Sequence, residues 1–235
     1  MASRSEVIEL LDDSDDEVIE VSSDDGDVDD AYDGGGAGGG EFADPRTRAT
    51  LILTLNHNRT PVSLYLGPLP KDPFEKYNHI LSLTKSRDEE AEMTAALLAT
   101  TGAGGAAGGT SKFSYLHRSI NDTPEAAAQM AKELDICVSY LNDAVEKGGK
   151  ILVHCRKGIS RSSTIMAAFL MYLWRAHGSW VPLIPHNIDS GKMLFHATLD
   201  FLKGKRSVVH PNKGFRRVLK LFAEAQILAR HGGRK

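Results

Sequence analysis

The sequence predicts an α/β domain built on a mostly parallel central sheet and preceded by an acidic tail. Three observations carry this reading. Short β-prone runs bounded by turn residues alternate with longer segments whose apolar residues recur at helical spacing. The run Lys150-Ile151-Leu152-Val153 has the continuous apolar character of a strand covered on both faces. The first 44 residues are acidic and then glycine-rich (Gly34–Gly36, Gly38–Gly40), too poor in apolar side chains to offset the entropy of ordering them. They are therefore expected to be a disordered acidic tail and flexible linker, residues 1–44, ahead of a folded domain, residues 45–231.

The elements follow in order. Leu51–Leu55 and Val62–Leu66 are β-prone, with Asn, Arg and Pro between them, and predict a pair of strands. Ile80–Thr84 predicts a third strand and Phe113–Arg118 a fourth. Between these two, Glu89–Thr101 is compatible with a helix. Gly102–Gly109 reads as a flexible surface insertion, not a nucleotide loop, because no Lys-Ser/Thr follows it in Walker spacing. Thr123 is placed to cap a helix and Pro124 suits its first position. Ala127, Met130, Ala131, Leu134, Cys137, Val138, Leu141 and Val145 then recur on one face, and Gly148-Gly149 ends the run. After the Lys150–Val153 strand a loop leads into a helix over Ser160–Ala176, and two more helices are predicted near Gly191–Lys203 and Gly214–His231.

Charge is distributed unevenly. The chain of 235 residues has a formal net charge of -3, with 28 Lys and Arg against 31 Asp and Glu. Residues 1–33 hold 14 of those acids and a single base, Arg4, which leaves 17 acids against 27 bases in the rest of the chain. A basic domain of this kind expects anionic ligands. The two cysteines, Cys137 and Cys155, form neither a disulfide framework nor a metal-ligand pattern. No cofactor or metal is expected. The N-terminus lacks the basic and apolar regions of a signal peptide. The longest apolar stretch, Ile165 to Trp174, is about half the ~20 residues a membrane span needs. A soluble protein of the cytoplasm or nucleus is expected.

The informative segment is His154-Cys155-Arg156-Lys157-Gly158-Ile159-Ser160-Arg161-Ser162, between a buried strand and a helix start. A helix N-terminus presents unpaired N–H groups and about half a positive charge. A tight loop there turns successive N–H groups inward as a nest for an anion. Gly158 permits the backbone geometry, and Arg161 can add a two-pronged fork to phosphate oxygens. The same field favours the thiolate of Cys155, aimed at the phosphorus of a bound phosphomonoester. Cys137, on the apolar face of a helix, reads as packing.

The string His-Cys-x-x-Gly-x-x-Arg-Ser resembles the signature of the protein tyrosine phosphatase superfamily. Gly158–Ser162 resembles its dual-specificity branch. Leu64-Tyr65-Leu66-Gly67 is similar to an early strand of that family. Ser207-Val208-Val209-His210-Pro211-Asn212-Lys213-Gly214-Phe215 is similar to its C-terminal helix entry. No rhodanese-like docking segment is read ahead of the domain, so the chain resembles the small atypical dual-specificity enzymes. The resemblance implies a phosphatase of phosphotyrosine and phosphoserine or phosphothreonine working through a phosphocysteine. It implies Cys155 as nucleophile, with Arg156, Lys157, Gly158, Ile159, Ser160 and Arg161 cradling the phosphate. Ser162 would donate a hydrogen bond that helps sulfur leave, and His154 would orient the loop and hold the thiolate. It also implies a general-acid aspartate on a loop ahead of the cysteine. Asp122, in Ile120-Asn121-Asp122-Thr123-Pro124, follows a predicted strand and precedes a helix where loops converge. Asp also favours helix caps, but Thr123 can serve there instead.

Arg156 and Lys157 are more basic than is usual for that branch, so phosphoinositides or other polyanionic substrates stay open beside phosphoproteins. So does a non-catalytic phospho-binding adaptor. Two insertions, Lys85–Ser111 and Gly178–Lys192, are longer than the resemblance leads one to expect. The tail has one internal echo: Val7-Ile8-Glu9-Leu10 recurs as Val18-Ile19-Glu20-Val21, with acids and serines after each copy. Such quartets suit strand addition to a partner's sheet edge. They resemble tandem SUMO-interacting motifs, which would place Val7, Ile8, Leu10, Val18, Ile19 and Val21 in partner pockets.

Overall fold

The computed structural model describes residues 46–68, 76–85, 114–181 and 184–232. The tail with both apolar quartets, the helix expected over Glu89–Thr101, the glycine run Gly102–Gly109 and nearly all of the Lys85–Ser111 insertion lie outside the described residues.

The first two strands, β1 (Thr50–His57) and β2 (Thr60–Pro68), form an antiparallel hairpin. Its two-residue turn puts Asn58 at φ 49° and Arg59 at φ 66°, the left-handed pair that matches the twist of the strands. A register shift between Leu51 and Leu53 interrupts the ladder. β2 then pairs in parallel with β5 (Gly149–Cys155), from Val62 opposite Gly149 to Pro68 opposite Cys155. On the other side of β5 lies β3 (His79–Ser82), also parallel, and β4 (Ser114–His117) forms the far edge. The five-stranded order is β1-β2-β5-β3-β4, with three parallel pairings and one antiparallel. This is the mostly parallel sheet the sequence predicts. β3 stops at Ser82, short of the expected Thr84.

The strand β5 is central because it can be buried on both faces. Ile151 and Val153 enter the main core, whereas Leu152 joins Tyr77 and Ile80 in a small cluster on the opposite face. Parallel pairing brings the carboxyl ends of β2, β3, β4 and β5 to one edge, at Pro68, Ser82, His117 and Cys155. Loops leaving that edge converge, which is where an open parallel sheet places its ligand.

Four helices complete the domain: α1 (Ala127–Lys147), α2 (Arg161–His177), α3 (Gly191–Lys205) and α4 (Lys213–Gly232). A 3₁₀ turn, Pro124–Ala126, leads into α1. Thr123 stands at the cap position of that turn with extended backbone but makes no side-chain capping bond, so its expected cap does not form. At the other end of α1, Gly148 at φ 79° turns the chain into β5, its N–H bonding to the carbonyls of Ala144 and Val145. The helix α2 is buried on every side from Arg161 to Met171. Apolar residues all round a helix mean that neighbours cover it all round. The N-terminus of this covered helix closes the loop 155–161.

Candidate active site

The loop after β5 returns on itself so that the polar groups of its backbone point two ways. On the inner side, the Gly158 N–H donates to Cys155 Sγ at 3.3 Å. The Ser162 hydroxyl, fully buried in the first turn of α2, donates to the same sulfur at 3.1 Å. On the outer side, the Gly158 carbonyl accepts from Arg206 Nε at 3.0 Å and the Lys157 carbonyl from Arg206 Nη2 at 3.3 Å. The Ile159 carbonyl accepts from the His210 N–H at 2.9 Å. With the carbonyls held outward, the loop presents donors inward, which is an anion nest around a sulfur.

Gly158 makes that geometry possible twice over. Its φ is 66°, and a Cβ built on it would lie 2.4 Å from the Gly67 carbonyl carbon at the end of β2. Any side chain would therefore collide with backbone.

Arg161, 7% exposed, opens α2. Its Nη1 donates to the Ile120 carbonyl at 3.3 Å, and its Nε lies 3.5 Å from Asp122 Oδ2. The guanidinium is thus fixed between the loop and the 120–124 segment, ready to face an anion above Cys155. Asp122, an exposed residue whose side chain is 35% accessible, ends a second set of contacts. Its Oδ1 accepts from the Ser160 hydroxyl at 2.6 Å and from Asn212 Nδ2 at 3.1 Å. Arg156 and Lys157 are exposed on the loop, and Ile159 is half-buried.

His154 ends β5 with none of its surface exposed, and neither ring nitrogen has a hydrogen-bond partner among the described residues. Burial pushes its pKa down to about 3, against a weaker upward pull from the Cys155 backbone, which lies near but not in hydrogen-bond geometry. The imidazole is therefore neutral packing beneath the loop. The expected hold on the sulfur comes from Gly158 and Ser162 instead. Cys137 is fully buried in α1, and burial raises its thiol to about 12. Among the described residues no group of His, Cys, Asp and Glu is placed to hold a metal ion. No helix among them is long and apolar enough to cross a membrane.

The structure adds residues that sequence reasoning did not assign. Arg206, 1% exposed, buttresses the outer face of the loop and also donates to the Arg48 carbonyl and Thr50 Oγ1, tying the loop to β1. Asn212, together with Ser160 of the predicted phosphate cradle, holds Asp122. A lone arginine between two helices carries no local pattern, although Asn212 lay within the helix-entry segment already noted.

Residues 76–176 match the family described as dual specificity phosphatase, catalytic domain. A probable rhodanese domain-containing dual specificity protein phosphatase of Dictyostelium discoideum is 30% identical over 46% of this chain and 19% of its own length. Dual specificity protein phosphatase 15 of Mus musculus is 34% identical over 48% of this chain and 40% of its own. The chain thus spans less than half the length of these two relatives. The crystal structure of the Yvh1 phosphatase domain from Chaetomium thermophilum is 23% identical, covering 68% of this chain and 89% of that one, with a TM-score of 0.46. The matched span runs from just before β3 to the last turn of α2 and contains Asp122, Cys155 and Arg161, so this stretch carries the dual specificity phosphatase catalytic-domain pattern, while Arg206 and Asn212 lie beyond it.

Proposed function

We propose that this chain is a cysteine-dependent protein phosphatase that hydrolyses phosphotyrosine and phosphoserine or phosphothreonine. The observation that carries the reading is the sulfur of Cys155, held by two donors at the floor of a loop whose Lys157, Gly158 and Ile159 carbonyls are bonded on its outer side. Such a nest takes a tetrahedral oxyanion, and the sulfur beneath it meets the phosphorus in line.

In the first step the Cys155 thiolate attacks phosphorus and the phosphorus–oxygen bond to the substrate breaks. Asp122 passes its proton to the departing oxygen. Arg161 and the inward N–H groups hold the equatorial oxygens of the phosphocysteine. In the second step water attacks phosphorus, its proton goes to Asp122, and the phosphorus–sulfur bond breaks. Gly158 N–H and Ser162 Oγ–H stabilise the thiolate that leaves. Turnover of a small aryl phosphate by wild type, Cys155→Ser and Asp122→Ala, in reductant and with chelator, tests the assignment. Loss in the serine variant and strong reduction in the alanine variant support it. Undiminished turnover in Cys155→Ser would remove it.

The exposed Arg156 and Lys157 favour a second reading, polyanionic substrates such as phosphoinositides. Parallel release of phosphate from phosphopeptides and from phosphoinositide vesicles separates the two. For the tail, we propose that Val7–Leu10 and Val18–Val21 add as strands to SUMO and make a polymeric SUMO chain the better partner. A peptide of residues 1–30 that leaves the spectrum of SUMO unchanged at high concentration would end that proposal. Action inside the cell, in cytoplasm or nucleus, goes with such partners, and imaging of the tagged chain checks it.

A further inference from the structure

The general acid assigned above does not stand alone on its loop. Asp122 Oδ1 receives two hydrogen bonds, from Ser160 Oγ at 2.6 Å and from Asn212 Nδ2 at 3.1 Å. The orientation of the Asn212 amide is settled by its other end. Its Oδ1 accepts the Phe215 N–H at 3.0 Å, the capping bond of α4, and only the oxygen can accept from a backbone donor. The nitrogen therefore faces Asp122. Asn212 is also bonded through its backbone, its N–H donating to Ser160 Oγ at 3.2 Å. A triangle results, in which one asparagine grips both the carboxylate and the hydroxyl that holds it.

Two further contacts fix the loop itself. The N-terminus of α4 lies so close that a Cβ on Gly214 would sit 2.1 Å from the Pro124 carbonyl oxygen. On the other side Gln129 accepts from the Asn121 N–H at 3.3 Å and donates to the Ser119 carbonyl at 2.6 Å. With Oδ1 occupied by two donors, the acidic proton has one seat, Oδ2. That atom faces Arg161 Nε at 3.5 Å, on the side where the phosphate sits in the proposed reaction.

We propose that Asn212 is a positioning residue of the general acid: with Ser160 it fixes Asp122 so that Oδ2 alone delivers the proton to the leaving oxygen. The proposal rests on the reading of Asp122 as the acid. It makes α4 part of the machinery for leaving-group protonation, whereas the loop beneath the phosphate depends on α2 and Arg206. Positioning of this sort matters because small displacements of a proton donor cost large factors in rate.

The test separates protonation from the rest of catalysis by choice of leaving group. Phenyl phosphate releases a basic phenoxide that needs a proton, its phenol having a pKa near that of tyrosine, ~10. 2,4-Dinitrophenyl phosphate releases a phenolate that needs none. Asn212→Asp keeps an acceptor for the Phe215 N–H but turns a carboxylate toward Asp122. Asn212→Ser keeps the cap and removes the donor. Both are measured in the full chain beside Asp122→Asn. The expected result is a loss of kcat/KM at least tenfold greater on phenyl phosphate than on the dinitrophenyl ester, in both Asn212 variants, with the basic limb of the pH profile displaced. Equal losses on both substrates in the Asn212 variants, with Asp122→Asn still selective, would overturn the proposal and leave the general acid standing. Equal losses in Asp122→Asn as well would remove the acid assignment and the proposal together.

Discussion

Replacing Ser162 by alanine isolates one interaction of the proposed mechanism. The hydroxyl is fully buried and lies 3.1 Å from Cys155 Sγ. Removing it leaves the sulfur with the Gly158 N–H as the single donor the structure gives it besides Ser162. A hydrogen bond to a charged partner contributes about 1.5–3 kcal/mol. At about 1.4 kcal/mol per tenfold, this amounts to roughly 10- to 150-fold. The loss should fall on one step. A thiolate with fewer donors remains a good nucleophile, so phosphocysteine still forms, but it leaves less readily when water attacks phosphorus. Rapid-quench kinetics with an aryl phosphate reads this directly. The variant should release a burst of phenol stoichiometric with enzyme and then turn over slowly, with phosphoenzyme accumulating. A kcat within about threefold of wild type and no burst would refute the reasoning, as would equal slowing of both steps.

Three other outcomes follow from the same geometry. Gly158→Ala should abolish oxyanion binding and lower the melting temperature, because its φ of 66° costs a side chain about 1–2 kcal/mol and its Cβ would meet Gly67 backbone at 2.4 Å; retained vanadate binding would contradict this. Arg206→Met should destabilise by about 2–4 kcal/mol, since it strips the Lys157, Gly158 and Arg48 carbonyls of a buried donor, and should lower the melting temperature by about 4–16 °C. Arg206→Lys should recover little of that loss, because one ammonium cannot span the carbonyls the guanidinium bridges. His154 is neutral in the folded protein down to about pH 3, whereas an unfolded histidine takes a proton near 6.5. Protons therefore favour unfolding in that window, and stability should fall as pH drops from about 6.5 toward 3, by up to ~1.4 kcal/mol per unit from this residue. Urea unfolding of His154→Gln should show a shallower pH slope, and an unchanged slope would contradict the assignment.

Much of this fold was legible because its signals are local. Apolar Ile151-Leu152-Val153 between a glycine pair and a turn marks a doubly covered strand, and it is the centre of the sheet. The helical spacing from Ala127 to Val145 marks one buried face, and all those positions except Ala131 are buried. The site was legible for the same reason. Cys155, Gly158, Arg161 and Ser162 belong to one continuous loop, so their spacing records their geometry. What escaped depends on residues distant in sequence. Arg206 reaches Gly158 across 48 positions, and Asn212 reaches Asp122 across 90. No periodicity encodes such contacts, which exist only once α3 and α4 have docked. The role read for His154 also required the structure, because a buried ring and a hydrogen-bonded one look alike in sequence. Thr123 failed as a capping side chain for a local reason: its side chain hydrogen-bonds the nearby Glu125 carboxylate instead of a backbone N–H of the first turn.

The central claim is that Cys155 takes the phosphoryl group. The most direct measurement mixes the full chain with a phosphotyrosyl peptide, quenches in acid within a few turnovers and maps the phosphorylated residue by mass spectrometry. The account predicts phosphate on Cys155, more of it in Ser162→Ala and none in Cys155→Ser. Phosphate on another residue, or steady turnover by the Cys155→Ser protein, would contradict it.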